Sequence, residues 1–201
     1  MRREYERLAA RYDRRWAFYI GATVRETLRR MPAGPGARLL DVGCGTGAFL
    51  AAVRAAHADA RLAGVDLSPA MLTAARRRLP SDVALEVASA EALPFPRAGF
   101  DTVVSISAFH FFRAPRAALG EMRRVLRPGG TLVLTDWCGD YLACRLLDRL
   151  LRLRDPAHFR TYGSAGFGAL IEDAGFAAVR VERYRISWFW GLMTAVARNP
   201  D

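Results

Sequence analysis

Apolar residues recur at helical spacing near the start of the chain: Leu8, Tyr12, Trp16, Tyr19, Ile20, Val24 and Leu28. This periodicity predicts an amphipathic helix over 2–31, ended by the breaker cluster Pro32-Ala-Gly-Pro-Gly36. The pattern then changes. Short apolar runs predict strands over 37–42, 62–65, 83–87, 100–107 and 131–135. Amphipathic stretches between them predict helices over 48–56, 69–78 and 115–126, the last stopped by Arg127-Pro-Gly-Gly130. Strands alternating with helices imply a parallel sheet covered on both faces, joined by right-handed crossovers. The final third predicts helices over about 139–153 and 165–174, then two apolar segments around Val179 and Trp188. That last pair is expected to form an antiparallel hairpin closing the sheet edge. The expected fold is α/β: a doubly wound, mostly parallel, seven-stranded sheet. Residues 1–36 are expected as a helical segment and linker, and 37–201 as the domain proper.

Composition narrows the class. The 201 residues are 52 % hydrophobic and 25 % charged, an ordinary globular balance. The longest apolar runs, Val103 to Phe112 and Ile186 to Ala197, are too short for a membrane span of about 18 residues. The charged start argues against a secretory signal. The net charge of +10 suggests a polyanion partner at first, but all 30 basic residues are arginine and they are spread along the chain. The local clusters are Arg14–Arg15, Arg76–Arg78, Arg123–Arg124 and the set Arg145, Arg149, Arg152 and Arg154. A solvated face is the simpler reading, with RNA or anionic lipid as the alternative. Three cysteines, Cys44, Cys138 and Cys144, form no C-x-x-C pair. A reducing, cytoplasmic setting without metal is expected.

The most informative stretch is Leu39-Leu-Asp-Val-Gly-Cys-Gly-Thr-Gly-Ala-Phe-Leu50, which passes from strand through glycines into helix. In an open parallel sheet, ligands sit beyond the carboxyl ends of the strands where the order reverses. Gly43, Gly45 and Gly47 permit positive φ and a close ligand approach. Gly43-x-Gly45-x-x-Ala48 also fits a loose dinucleotide fingerprint. Asp66 at the end of the second strand can accept hydrogen bonds from both hydroxyls of a ribose. NAD and S-adenosylmethionine share that sugar, so the glycines leave both cofactors open.

Several motifs recur in order: 40–47 (LDVGCGTG), 64–72 (GVDLSPAML), 90–95 (AEALPF), 100–105 (FDTVVS) and 124–130 (RVLRPGG). Over almost its whole length the chain resembles the class I S-adenosylmethionine-dependent methyltransferases of the ubiquinone and menaquinone biosynthesis type. The resemblance implies that Asp41 orients the glycine loop and that Gly43, Gly45, Thr46 and Gly47 receive the methionine end of the cofactor. Asp66 would bind the ribose, with Leu67 and Met71 near the adenine. Ser89 and Ala90 would hold the adenine edge, and Ser105 would line the methionine side. The family has Gly-Asp where this chain has Ala88-Ser89, which removes a charge at the adenine. The amino-terminal helix, with Tyr12, would lie over the cofactor as a lid.

Methyl transfer from a sulfonium is an in-line displacement that asks the protein for position, desolvation and, for some acceptors, a base. The base should lie beyond the fourth and fifth strands. His110 is the first candidate, because imidazole titrates near working pH. Asp136 and Asp140 follow, though either could cap a helix instead. Trp137, Tyr141, Trp188 and Trp190 are candidates for an aromatic lining. Cys138 has no neighbouring base that would make it a nucleophile. The expected activity is methyl transfer to a small molecule by a monomer or homodimer, with a thiol or sulfide as one specific acceptor. An RNA methyltransferase, an NAD-dependent oxidoreductase and a silent cofactor-binding or membrane-surface protein are the rivals.

Overall fold

The computed structural model describes residues 13–31, 36–154 and 160–200. Its seven strands are β1 (Arg38–Val42), β2 (Arg61–Asp66), β3 (Ala84–Val87), β4 (Phe100–Ile106), β5 (Leu126–Trp137), β6 (Ala177–Arg185) and β7 (Gly191–Arg198). They form one sheet in the order β3-β2-β1-β4-β5-β7-β6. The first five are parallel, and β7 runs antiparallel to both β5 and β6. The helices are α1 (Ala17–Arg30), α2 (Ala48–Ala56), α3 (Pro69–Arg78), α4 (Pro115–Val125), α5 (Leu142–Arg154) and α6 (Ser164–Asp173), with a short 3-10 turn at Phe109–Phe111. The doubly wound sheet with its carboxyl-terminal antiparallel hairpin is the expected architecture. Among the described residues, no helix is long and apolar enough to cross a membrane.

The central strands are apolar at consecutive positions because each face carries its own core. Leu40, Val103, Leu132 and Leu134 pack on one side with Leu119, Met122, Phe167 and Ile171. Their neighbours Leu39, Val104 and Val133 face the other side, with Leu50, Val53 and Leu72. A strand reverses its side-chain direction at every residue, so a strand buried twice must be apolar throughout. α4 shows the matching helical pattern, burying Ala118, Leu119, Met122 and Val125. Gly64 of β2 is a packing requirement. A Cβ there would stand 2.8 Å from Cys44 Sγ, 2.9 Å from Leu50 Cδ1 and 3.0 Å from Leu85 Cδ2.

Three elements depart from the sequence reading. β5 begins at Leu126, directly after α4, because Leu126 pairs with Phe100 across a register shift before the regular ladder resumes at Thr131. Pro128 and Gly129 therefore sit inside an irregular strand start, not a separating turn. α5 starts at Leu142, three residues late, because Cys138 bridges Tyr162 and Gly139 N–H donates to Tyr162 O at 2.7 Å. Trp188 lies in the β6–β7 turn, where Ser187 Oγ accepts from the Phe189 and Trp190 amides. The amino-terminal helix is described only from residue 13. Within it, Tyr19, Ala22, Thr23 and Thr27 of α1 are buried. Thr27 Oγ1 lies 2.8 Å from Thr135 Oγ1 on β5, so α1 is packed onto the sheet.

Candidate active site

Strand order reverses between β1 and β4, so the crevice lies over their carboxyl ends. The loop leaving β1 is bent by three positive φ angles, +80° at Gly43, +53° at Gly45 and +74° at Gly47. Two of these glycines also make room for protein. A Cβ on Gly43 would stand 2.5 Å from the Ala108 Cβ, and one on Gly47 would stand 2.8 Å from Leu79 Cδ1. Gly45 is different: a Cβ there would meet no protein atom within 4 Å. The loop is thus tight on its flanks and open at its centre.

Asp66 closes one wall. Its Oδ2 accepts from Gly45 N–H and its Oδ1 from Ser68 N–H, both at 2.9 Å. Burial raises its pKa, and these two amides oppose the rise. Each carboxylate oxygen keeps a second lone pair for a hydroxyl donor. Leu67, 73 % exposed, and Val87 flank the open side at the ends of β2 and β3. An apolar ligand surface would cover both. Val87 escaped sequence reasoning because it ends a weak four-residue strand.

Asp41 is buried, and its Oδ1 has no hydrogen-bond partner. Burial, with the Asp66 charge nearby, pushes its carboxyl up to about 8. An orphaned buried carboxyl oxygen at the foot of a glycine loop is the complement of a cationic ligand group. S-adenosylmethionine carries a sulfonium and an ammonium, so the residues present fit that cofactor. A free carboxyl titrates near 4. Between about 4 and 8 the unfolded chain has therefore released a proton that the ligand-free fold still holds. The contribution of Asp41 to stability is fully present below about pH 4 and is lost as pH rises towards about 8. Asp41→Asn is expected to flatten this dependence. Denaturant midpoints at pH 5 and 8 check it, and parallel losses in the two proteins would refute the assignment.

The other expected cofactor contacts divide. Thr46 Oγ1 donates to Asp13 Oδ1 at 2.7 Å and accepts from Arg78 Nη1 at 2.9 Å. Arg78 also pairs with Asp13. Thr46 and Arg78 therefore fasten Asp13, ahead of α1, to the loop. Ser105 Oγ donates to Val42 O at 2.7 Å, tying β4 to β1. Ser89 Oγ is bonded to Glu91, and Ala90 is packed in the core. Met71 is buried, and its amide bonds to Ser68 Oγ at the start of α3. Tyr12 lies outside the described residues.

On the acceptor side, His110 and Asp136 meet. His110 Nδ1 lies 2.7 Å from Asp136 Oδ1, and the His110 amide donates to Asp136 Oδ2 at 2.9 Å. Both residues are buried. An ionised carboxylate only accepts, so in that form Asp136 would hold the imidazole proton on Nδ1 and leave the basic lone pair on Nε2. The ring stacks on Trp137, with centroids 4.6 Å apart. Trp137 Nε1 donates to Tyr19 Oη at 2.6 Å, and Tyr19 Oη lies 2.7 Å from Ser107 Oγ. Trp190 packs on Tyr19 and on Trp137. Tyr19 entered the sequence reading as an apolar helix position and Ser107 as the end of a strand, with no link between them. Ser107 has a φ of +53°, which no pattern of residue types reveals.

Asp140 does not join the pair. Its Oδ2 accepts from Ser164 N–H, Ser164 Oγ and Arg183 Nη1, holding the start of α6. Tyr141 packs against Gly191 under the Arg185 guanidinium, and Trp188 is exposed. Of the expected lining, Trp137 stacks on His110 and Trp190 packs on Trp137. Burial pushes the Cys138 thiol up to about 11, which removes it as a nucleophile. Among the described residues, no three His, Cys, Asp or Glu side chains form a group that could hold a metal.

Comparison with known proteins agrees with this geometry. Residues 40–134 match the family model described as a methyltransferase domain. The chain is 31 % identical to a malonyl-[acyl-carrier protein] O-methyltransferase of Laribacter hongkongensis, over 99 % of this chain and 71 % of the relative. It is 39 % identical to a demethylmenaquinone methyltransferase of Thermus thermophilus, over 50 % of this chain and 47 % of that protein. The chain spans roughly half the length of several curated relatives that it matches. A chain in a Haloferax volcanii complex of a methyltransferase with its Trm112 activator superposes with a TM-score of 0.87 over 98 % of both chains, at 22 % identity. The open glycine loop and its two carboxylates thus stand on a methyltransferase sheet throughout, and the chain belongs to the class I S-adenosylmethionine-dependent methyltransferases.

Proposed function

We propose that this protein methylates an oxygen atom of a small-molecule acceptor, with His110 as the base. The observation that carries the reading is the buried His110–Asp136 pair at 2.7 Å. When bound, S-adenosylmethionine supplies an electrophilic methyl group and a neutral leaving group. Asp41 and the glycine loop receive its charged end, and Asp66 its sugar. The wall of Trp137, Trp190 and Tyr19 excludes water and bounds the acceptor. His110 Nε2 takes the hydroxyl proton, and Asp136 stabilises the imidazolium that results.

A thiol acceptor was the competing expectation. Thiols ionise near pH 8.5 and need little help from a base. A carboxylate-oriented imidazole is better matched to a hydroxyl. The name of the Laribacter relative, an O-methyltransferase, supports the same choice. The arginines support a small acceptor over RNA. Several are ion-paired on well-separated elements, including Arg30 with Glu182, Arg38 and Arg127 with Asp101, Arg54 with Asp82, and Arg124 with Glu121. The test is incubation with methyl-labelled cofactor and a mixed pool of phenols, carboxylic acids and thiols. Labelled O-methyl product is expected. Label confined to S-methyl product would overturn the reading.

A further inference from the structure

α5 breaks the usual rule for a surface helix. Its buried positions are Cys144 and Asp148. Its outward positions include Leu142, Leu146 and Leu150, each one turn from the next, with Leu142 66 % and Leu146 56 % exposed. A lone exposed leucine is ordinary, but three in register on one face are not. Arg145 and Arg149 are exposed between them. Among the described residues, neither has an ion-pair partner. The one acid of α5, Asp148, is buried and accepts from Thr161 N–H.

A second apolar projection lies at the same end of the sheet. Trp188 in the β6–β7 turn is 85 % exposed. α5 and this hairpin are joined where Cys144 Sγ donates to Gly191 O at 3.2 Å and Arg185 lies over the Tyr141 ring. α5 follows the carboxyl end of β5, and the turn leads into β7 beside it, where Trp137 pairs with Leu192, at the end where the crevice opens.

We propose that α5 and the β6–β7 turn form a docking surface for an anionic lipid membrane. Leucine and tryptophan side chains partition into the headgroup boundary, and interleaved arginines meet the lipid phosphates. The protein's net charge of +10 adds long-range attraction to such a surface. A second copy of the chain fits less well, because pairing α5 with itself would bring four arginines together without an acid. This inference is independent of which acceptor atom is methylated.

The test is co-sedimentation with vesicles of equal parts phosphatidylglycerol and phosphatidylcholine. The intact protein is expected to bind these vesicles and to leave pure phosphatidylcholine in solution. Salt at about 1 M, where the screening length is about 3 Å, should release it. R145Q/R149Q should weaken partitioning roughly 30-fold. L142S/L146S should weaken it independently of salt. All these side chains are exposed and remote from Asp66, so affinity for S-adenosylhomocysteine should stay unchanged and report an intact fold. The proposal fails if the wild type ignores anionic vesicles, if both variants bind as the wild type does, or if pure phosphatidylcholine binds equally. It also fails if light scattering shows a dimer that L142S/L146S abolishes, since the stripe would then be a subunit interface.

Discussion

Asp66→Ala is expected to weaken S-adenosylhomocysteine binding by about 1,000-fold, or roughly 4 kcal/mol, measured by titration calorimetry. Two charge-assisted hydrogen bonds of about 1.5–3 kcal/mol each are at stake at the ribose. The same carboxylate holds the Gly45 and Ser68 amides, so its loss also frees the open centre of the loop. Asp66→Asn separates the two effects. The amide keeps an acceptor for one backbone N–H but loses the charge and one acceptor oxygen. An intermediate loss of affinity is therefore expected from Asn. Wild-type affinity in the alanine variant would remove Asp66 from the site.

His110→Ala is expected to lower kcat by a factor of roughly 100–1,000 while changing affinity for S-adenosylhomocysteine less than twofold. This is the ordinary contribution of a positioned general base. Asp136→Asn should approach the same loss by another route. An amide facing Nδ1 can donate to it, which moves the ring proton to Nε2 and leaves no lone pair for the acceptor. The two variants should not be additive, because they disable one device. If His110→Ala turns over at the wild-type rate, the pair is scaffolding for the start of the 3-10 turn, and the acceptor ionises without help.

The sheet was legible because its information is local and redundant. Helices α2 and α3 were placed with their observed ends, since Pro69 and the flanking glycines punctuate them. The boundaries that slipped were set by long-range partners. Leu126 joined β5 because Phe100 pairs with it, and α5 was delayed because Tyr162 bridges Cys138. The site was legible to a similar depth. The glycine loop and Asp41 lie in one motif and Asp66 in the next, and the fold brings them together at Gly45. His110 and Asp136, 26 positions apart, were both candidates, but only the fold makes them a pair. Thr46, Ser105 and Ser89 bond to Asp13, Val42 O and Glu91, partners that their motifs do not name. A hydroxyl in a motif has several acceptors within reach, and spacing does not say which one it takes. The Tyr19–Ser107–Trp137 chain joins three distant segments and left no mark in the pattern.

Gly64 carries a consequence of its own. Glycine inside a strand ordinarily reads as a weak point, a residue that gives up both entropy and contact. Here Cys44, Leu50 and Leu85 converge on the vacancy above its Cα. The missing methyl thereby fixes how close the cofactor loop and α2 settle onto β2, and so how deep the nucleoside can sink. A single added carbon at this site would act as a shim, raising the floor of the crevice without replacing any residue assigned to the ligand.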